Sequence, residues 1–102
     1  MAENDTYQLL GLGLASKRLV TGDQAVYERL VRKKLMLVIV ALDAGLATQD
    51  RFHRAAERFS VKLVRFGNKE RLGACLGQAP RAVVGVIDLS LADALLNKIQ
   101  SG

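Results

Sequence analysis

The sequence predicts an α/β fold: a three-layer α/β/α sandwich, with about four strands in a mixed sheet and helices on both faces. Three observations carry that prediction. Segments of helical and strand period alternate along the chain. Two of the strand segments, 35–41 and 82–87, are continuous apolar runs, the pattern of strands covered on both faces. The helical segments each present one apolar stripe, which a sheet can bury.

Each element has its own local justification. Residues 5–16 read as the first helix, because Asp5 and Gln8 have capping-box spacing and Tyr7, Leu10 and Leu14 fall on one stripe. Gly11 and Gly13 weaken it by propensity, so tertiary packing must hold it. Leu19-Val20 is a very short strand. Gly22 to Lys33 reads as the second helix, with Val26, Tyr27, Leu30 and Val31 inward and Gln24, Ala25, Glu28, Arg29 and Arg32 outward. Leu35–Ala41, LMLVIVA, is a buried strand. Thr48 then caps a helix to about Phe59, with Phe52, Ala55, Ala56 and Phe59 at core spacing. Val61–Phe66 is the next strand. Asn68 caps a helix that runs to Gly77, where the glycine is the stop. Ala82–Ile87 is the last strand, and Asp88 or Ser90 opens a final helix with Leu91, Ala92, Leu95, Leu96 and Ile99 facing in.

Composition sets the class. With 102 residues, the sequence reads as one domain spanning 1–102, too small for two lobes with a cleft between them. Half of the residues are apolar and a quarter charged, which excludes a disordered tail. Cys75 is the one cysteine, so no intramolecular disulfide forms, and Cys75 with His53 cannot build a zinc site. Residues 1–8, MAENDTYQ, carry no basic-then-apolar leader. The longest apolar run, Leu35 to Leu42, is eight residues, against roughly 20 for a membrane helix. A soluble cytoplasmic protein is the expectation, and nothing in the sequence requires a dimer.

Candidate catalytic residues are weak. Gly11-Leu12-Gly13 lacks both the preceding strand and the third glycine of a dinucleotide fingerprint, position 16 being Ser16, so close helix packing is the better account. His53 shares a helix face with Asp50 and Glu57, which makes a surface charge cluster as readily as a general base. Cys75, between Ala74 and Leu76, reads as a small core residue. Asp43 and Asp88 end buried strands; Asp88 reads as a helix cap, and Asp43 is left open. No cofactor, metal or catalysis is expected.

The cations are more informative. Net charge is +5 and the isoelectric point about 9.8, a balance that favours nucleic acid or an anionic surface as partner. Fourteen of the fifteen Lys and Arg fall within residues 17–81 against six acids, a local surplus of eight. Arg51, Arg54 and Arg58 share one helix and read as a solvated face. Lys17-Arg18, just before Gly22, and Arg32-Lys33-Lys34, at the end of the helix that Gly22 opens, are the clusters that point to phosphate. A helix start with free N–H groups attracts anions, and a glycine there admits a backbone closely. Thr21, Asp23 and Gln24 add short polar groups able to reach base edges.

Leu9-Leu10-Gly11-Leu12, Lys17-Arg18-Leu19-Val20-Thr21-Gly22, the helix after it and LMLVIVALDAG together resemble the ribosomal-protein family of kink-turn RNA binders. Arg71-Leu72-Gly73, Gly77 and APRAVVGVID follow in the same order, so the resemblance covers about residues 7–99. That family includes archaeal and eukaryotic large-subunit ribosomal proteins and box C/D core proteins, and this chain is most similar to its short bacterial members encoded beside transcription and translation factors. The resemblance implies the same sandwich and non-catalytic binding of structured, ribosome-associated RNA. The family's motif Gly-x-Asn-Glu-x-x-Lys falls on Gly22-Asp23-Gln24-Ala25-Val26-Tyr27-Glu28. Gly22 matches and Gln24 keeps an amide, whereas Ala25 has lost the glutamate and Glu28 reverses the lysine's charge. The second contact loop falls on Gln78-Ala79-Pro80-Arg81. The expected RNA site is therefore Lys17, Arg18, Arg32, Lys34 and Arg81 on phosphates, Gly22 at the backbone, Asp23 and Gln24 on base edges, with Glu28 and Gln78 beside them. The rival expectation, motivated by Ala25 and Glu28, is a protein-interaction module of the same fold that has lost RNA binding.

Overall fold

A computed structural model describes residues 2–101. Nine elements follow in order: α1 (Ala2–Ala15), β1 (Leu19–Thr21), α2 (Asp23–Val31), β2 (Leu37–Val40), α3 (Leu46–Arg58), β3 (Lys62–Arg65), α4 (Lys69–Cys75), β4 (Val83–Val86) and α5 (Leu89–Ser101). The strands form one mixed sheet in the order β1-β4-β2-β3. The outer pair β2/β3 is parallel, while β4 runs antiparallel to both β1 and β2. Helices α2 and α3 pack together on one face of the sheet, and α1 packs against α4 and α5 on the other. The expected three-layer mixed sandwich is thus what the chain forms.

The core follows from the apolar runs. Every residue of β2 and β4 is buried, because these central strands are covered on both faces. Val26 and Leu30 from α2, Phe52 from α3, Leu10 from α1, and Leu91 and Leu95 from α5 close over them. Gly11 and Gly13 mark close approach, as expected. A Cβ on Gly13 would lie 2.6 Å from Leu91 Cδ2, and one on Gly11 3.0 Å from the Cys75 carbonyl oxygen.

Several expectations are corrected. Helix α1 starts at Ala2, so Asp5 lies within it and is not the N-cap. Val31, assigned inward, is 43% exposed at the end of α2. Helix α3 starts at Leu46 behind Gly45, so Thr48 lies in its first turn. The side chain of Gln49 donates to the Ala44 carbonyl there at 2.6 Å, tying down a start that carries no side-chain cap. Other caps hold. Asn68 Oδ1 accepts the Arg71 N–H at 2.8 Å, and Asp88 Oδ2 accepts the Leu91 N–H at 2.8 Å. Gly77, at φ 66°, is the turn residue after α4, where the left-handed region favours glycine.

Candidate nucleic-acid interface

The parallel β2/β3 pair and the helices that follow β1, β2 and β3 bring three helix starts to one end of the sheet. Gly22 begins α2 at φ 93° and ψ 148°, a conformation essentially restricted to glycine, and its N–H donates to the Val83 carbonyl at 3.2 Å. A Cβ there would meet nothing within 4 Å, so the surface in front of the turn is open. Asp23 and Gln24 extend from this start, and Glu28 and Arg32 continue along the exposed face of α2.

The second loop meets the first. Gln78 Oε1 accepts from the Thr21 hydroxyl at 2.9 Å and from Arg81 Nε at 3.0 Å. One amide oxygen therefore joins the end of β1 to the loop before β4. The Arg81 N–H donates to the Lys69 carbonyl at 3.0 Å, and the Lys69 N–H donates to Asp43 Oδ1 at 2.9 Å. Asp43, left open by the sequence, is thus a partner for the start of α4. Gly73 lets this loop lie down: a Cβ on it would stand 2.6 Å from the Ala79 carbonyl carbon and 2.8 Å from Pro80 Cα. Gly22, Asp23, Gln24, Gln78 and Arg81 are brought together, with Lys69 among them. Lys69 escaped the sequence reading because only the backbone pairing with Arg81 places it here.

Lys17 and Arg18 do not join them. They are five and four residues before Gly22 in sequence, but β1 lies between. The Arg18 carbonyl accepts the Ile87 N–H, whereas Gly22 pairs with Val83; four residues of extended chain set these points about 13 Å apart. Arg18 instead forms an exposed ion pair with Asp88, Nη1 to Oδ2 3.6 Å. Lys34 follows the end of α2 and lies at that far end too, since the Met36 N–H donates to the Val86 carbonyl. Arg32 caps α2 on the way there.

The other candidates have ordinary partners. Asp50 pairs with Arg54 at 3.2 Å. Arg51 is not simply solvated: its guanidinium lies 4.1 Å from the centroid of the Tyr27 ring, which meets Phe52 edge-on. The Cys75 thiol donates to the Leu72 carbonyl at 3.2 Å, and burial pushes its pKa up, the opposite of an activated nucleophile. Among the described residues no group of three or more His, Cys, Asp or Glu side chains could hold a metal, and no helix is long and apolar enough to cross a membrane.

An α/β/α sandwich with a glycine-started helix and a basic loop at one end of the sheet is the architecture of a known class of ribosomal-type domains. The model of the ribosomal protein L7Ae/L30e/S12e/Gadd45 family matches residues 4–95, and the chain belongs to that family. It is similar to the RNA-binding protein YlxQ of Bacillus subtilis (strain 168), with 25% identity over 97 residues, 95% of this chain and 97% of that protein. Among solved structures, a Bacillus halodurans protein of unknown function superposes with a TM-score of 0.89 and 28% identity, over 93% of this chain and 96% of that one. The Giardia lamblia 15.5kD RNA binding protein has a TM-score of 0.81 at 21% identity, over 98% and 86%, a likeness of fold.

Proposed function

We propose that the chain is a non-catalytic, cytoplasmic RNA-binding protein that holds structured, ribosome-associated RNA of the kink-turn kind at the Gly22 end of the sheet. The observation that carries this is the Gln78 bridge, which locks Thr21 and Arg81 into one surface around an open glycine helix start. Gly22 admits the RNA backbone, Asp23 and Gln24 face base edges, and Arg81 faces phosphates. Splayed, single-stranded bases suit such short polar groups, because side chains cannot enter the deep groove of regular A-form RNA. Family membership and the naming of YlxQ as an RNA-binding protein support the reading.

The rival is a protein-interaction module, and one observation favours it: Glu28 sets an exposed carboxylate in the middle of the α2 face. A salt titration separates the two. Binding to a kink-turn RNA or to ribosomal RNA should weaken steeply as salt rises, whereas a protein interface changes less. No affinity for either RNA at low salt would refute RNA binding.

A further inference from the structure

The cations at the far end of the sheet form a surface of their own. Helix α1 ends through Lys17 at φ 61°, with the Lys17 N–H on the Leu14 carbonyl and the Arg18 N–H on that of Gly13. Helix α2 ends through Lys33 at φ 58°, with the Lys33 N–H on the Leu30 carbonyl and the Lys34 N–H on that of Arg29. Helix α3 stops in the same way through Ser60 at φ 57°, while α1 and α2 place a lysine in that left-handed turn. The two lysine turns are neighbours: Leu19 and Leu37, just after them, both pair with Val86, one from each side. Two strand spacings set them roughly 10 Å apart. Lys17, Arg18, Lys33 and Lys34 are all exposed, and Asp88, on Arg18, is the one carboxylate within ion-pair distance of any of them among the described residues.

We propose that this end is a second RNA-contact surface, distinct from the Gly22 end, which grips the phosphates of a second RNA segment so that one protein bridges two. This rests on the RNA-binding reading above. Two adjoining stops both carry exposed lysines, beside a third lysine and an arginine, with one carboxylate among the four cations, and that local surplus of positive charge suits phosphates. Helix C-termini favour cations for their own stability, yet α3 makes the same stop with the uncharged Ser60, so the fold does not require a lysine there.

The test loads the full chain onto immobilised kink-turn RNA, washes, and adds a labelled RNA duplex that lacks a kink-turn. Wild-type protein should capture the duplex. Lys17→Gly/Lys33→Gly should load within about twofold of wild type, melt no lower than a few degrees below it, and lose capture at least tenfold. The salt slope of capture should fall by about two units, close to one per lysine. Lys17→Asn/Lys33→Asn should behave alike, since asparagine tolerates the left-handed region without the charge. Loading without capture by wild type, or equal capture by the double variants, overturns the second surface and leaves the first standing. If wild type does not load at all, RNA binding itself fails, and the second surface with it.

Discussion

Thr21 and Gln78 are 57 residues apart in sequence, yet the Thr21 hydroxyl donates to the Gln78 amide oxygen at 2.9 Å. The same oxygen takes the Arg81 Nε–H, so a single acceptor fixes the relative position of the two loops at the candidate interface.

Replacing that acceptor is therefore expected to act on binding more than on folding. Gln78→Leu should cost about 0.5–1.5 kcal/mol of stability, the net value of partly buried hydrogen bonds. It should weaken RNA affinity by releasing Arg81. A double-mutant cycle checks the mechanism: Arg81→Ala should lose less affinity in the Gln78→Leu background than in wild type. Additive losses would show that Gln78 does not position Arg81.

Gly22→Val tests the helix start. The space around a Cβ is empty, so no clash within the protein opposes the change. Its cost is conformational, about 1–3 kcal/mol for a side chain held at φ 93° and ψ 148°. Measured below the melting temperature of the variant, RNA affinity should be largely lost. Retained affinity would mean that the α2 start does not touch RNA.

Glu28→Lys should have the opposite effect. Glu28 is exposed and has no ion-pair partner among the described residues. Removing its repulsion of phosphate should tighten binding to a kink-turn RNA, by up to about 1 kcal/mol, and steepen the salt slope by up to about one unit. Weaker binding would instead assign the carboxylate to a donor such as a cytosine amino group. No change in either measure would move the α2 face out of the interface.

Gly73→Ala should couple stability to the site. The new methyl would be driven into the Ala79–Pro80 backbone, which cannot step aside as a flexible side chain would. A loss of about 1–3 kcal/mol by denaturant unfolding is expected, as for overpacking elsewhere. The 78–81 loop must also lift, so RNA affinity should fall more than it does for a variant of equal instability elsewhere in the core, such as Leu95→Val.

Much of the layering was legible because its causes are local. Leu37–Val40 and Val83–Val86 are continuous apolar runs, and such runs state their own burial on two faces. Asn68 and Asp88 cap the helices they were expected to cap, since the bond joins residues three apart. Val31 was misassigned because α2 ends there, and helical periodicity says nothing once the helix stops. The site was legible only in halves. Gly22 and Arg81 were singled out by spacing and resemblance, whereas Lys69 comes beside Arg81 only through a hydrogen bond across twelve residues of chain. Lys17 and Arg18 were placed beside Gly22 by sequence distance, and the three-residue strand β1 carries them away from it. Sequence proximity is a poor guide wherever a strand, even a short one, intervenes.

The strand order has a consequence for how the protein is made. Because β4 lies between β1 and β2, the two N-terminal strands have no direct bonds to each other and wait for the last strand to join them. Thr21 pairs with Val84, a partner translated about sixty residues later; at synthesis rates of about 5–20 residues per second that interval is roughly 3–12 s. Throughout it Gly22 lacks the Val83 carbonyl and Thr21 lacks Gln78. A nascent chain therefore presents its N-terminal cations while its candidate RNA-reading surface is unassembled, and gains that surface only once β4 has been made.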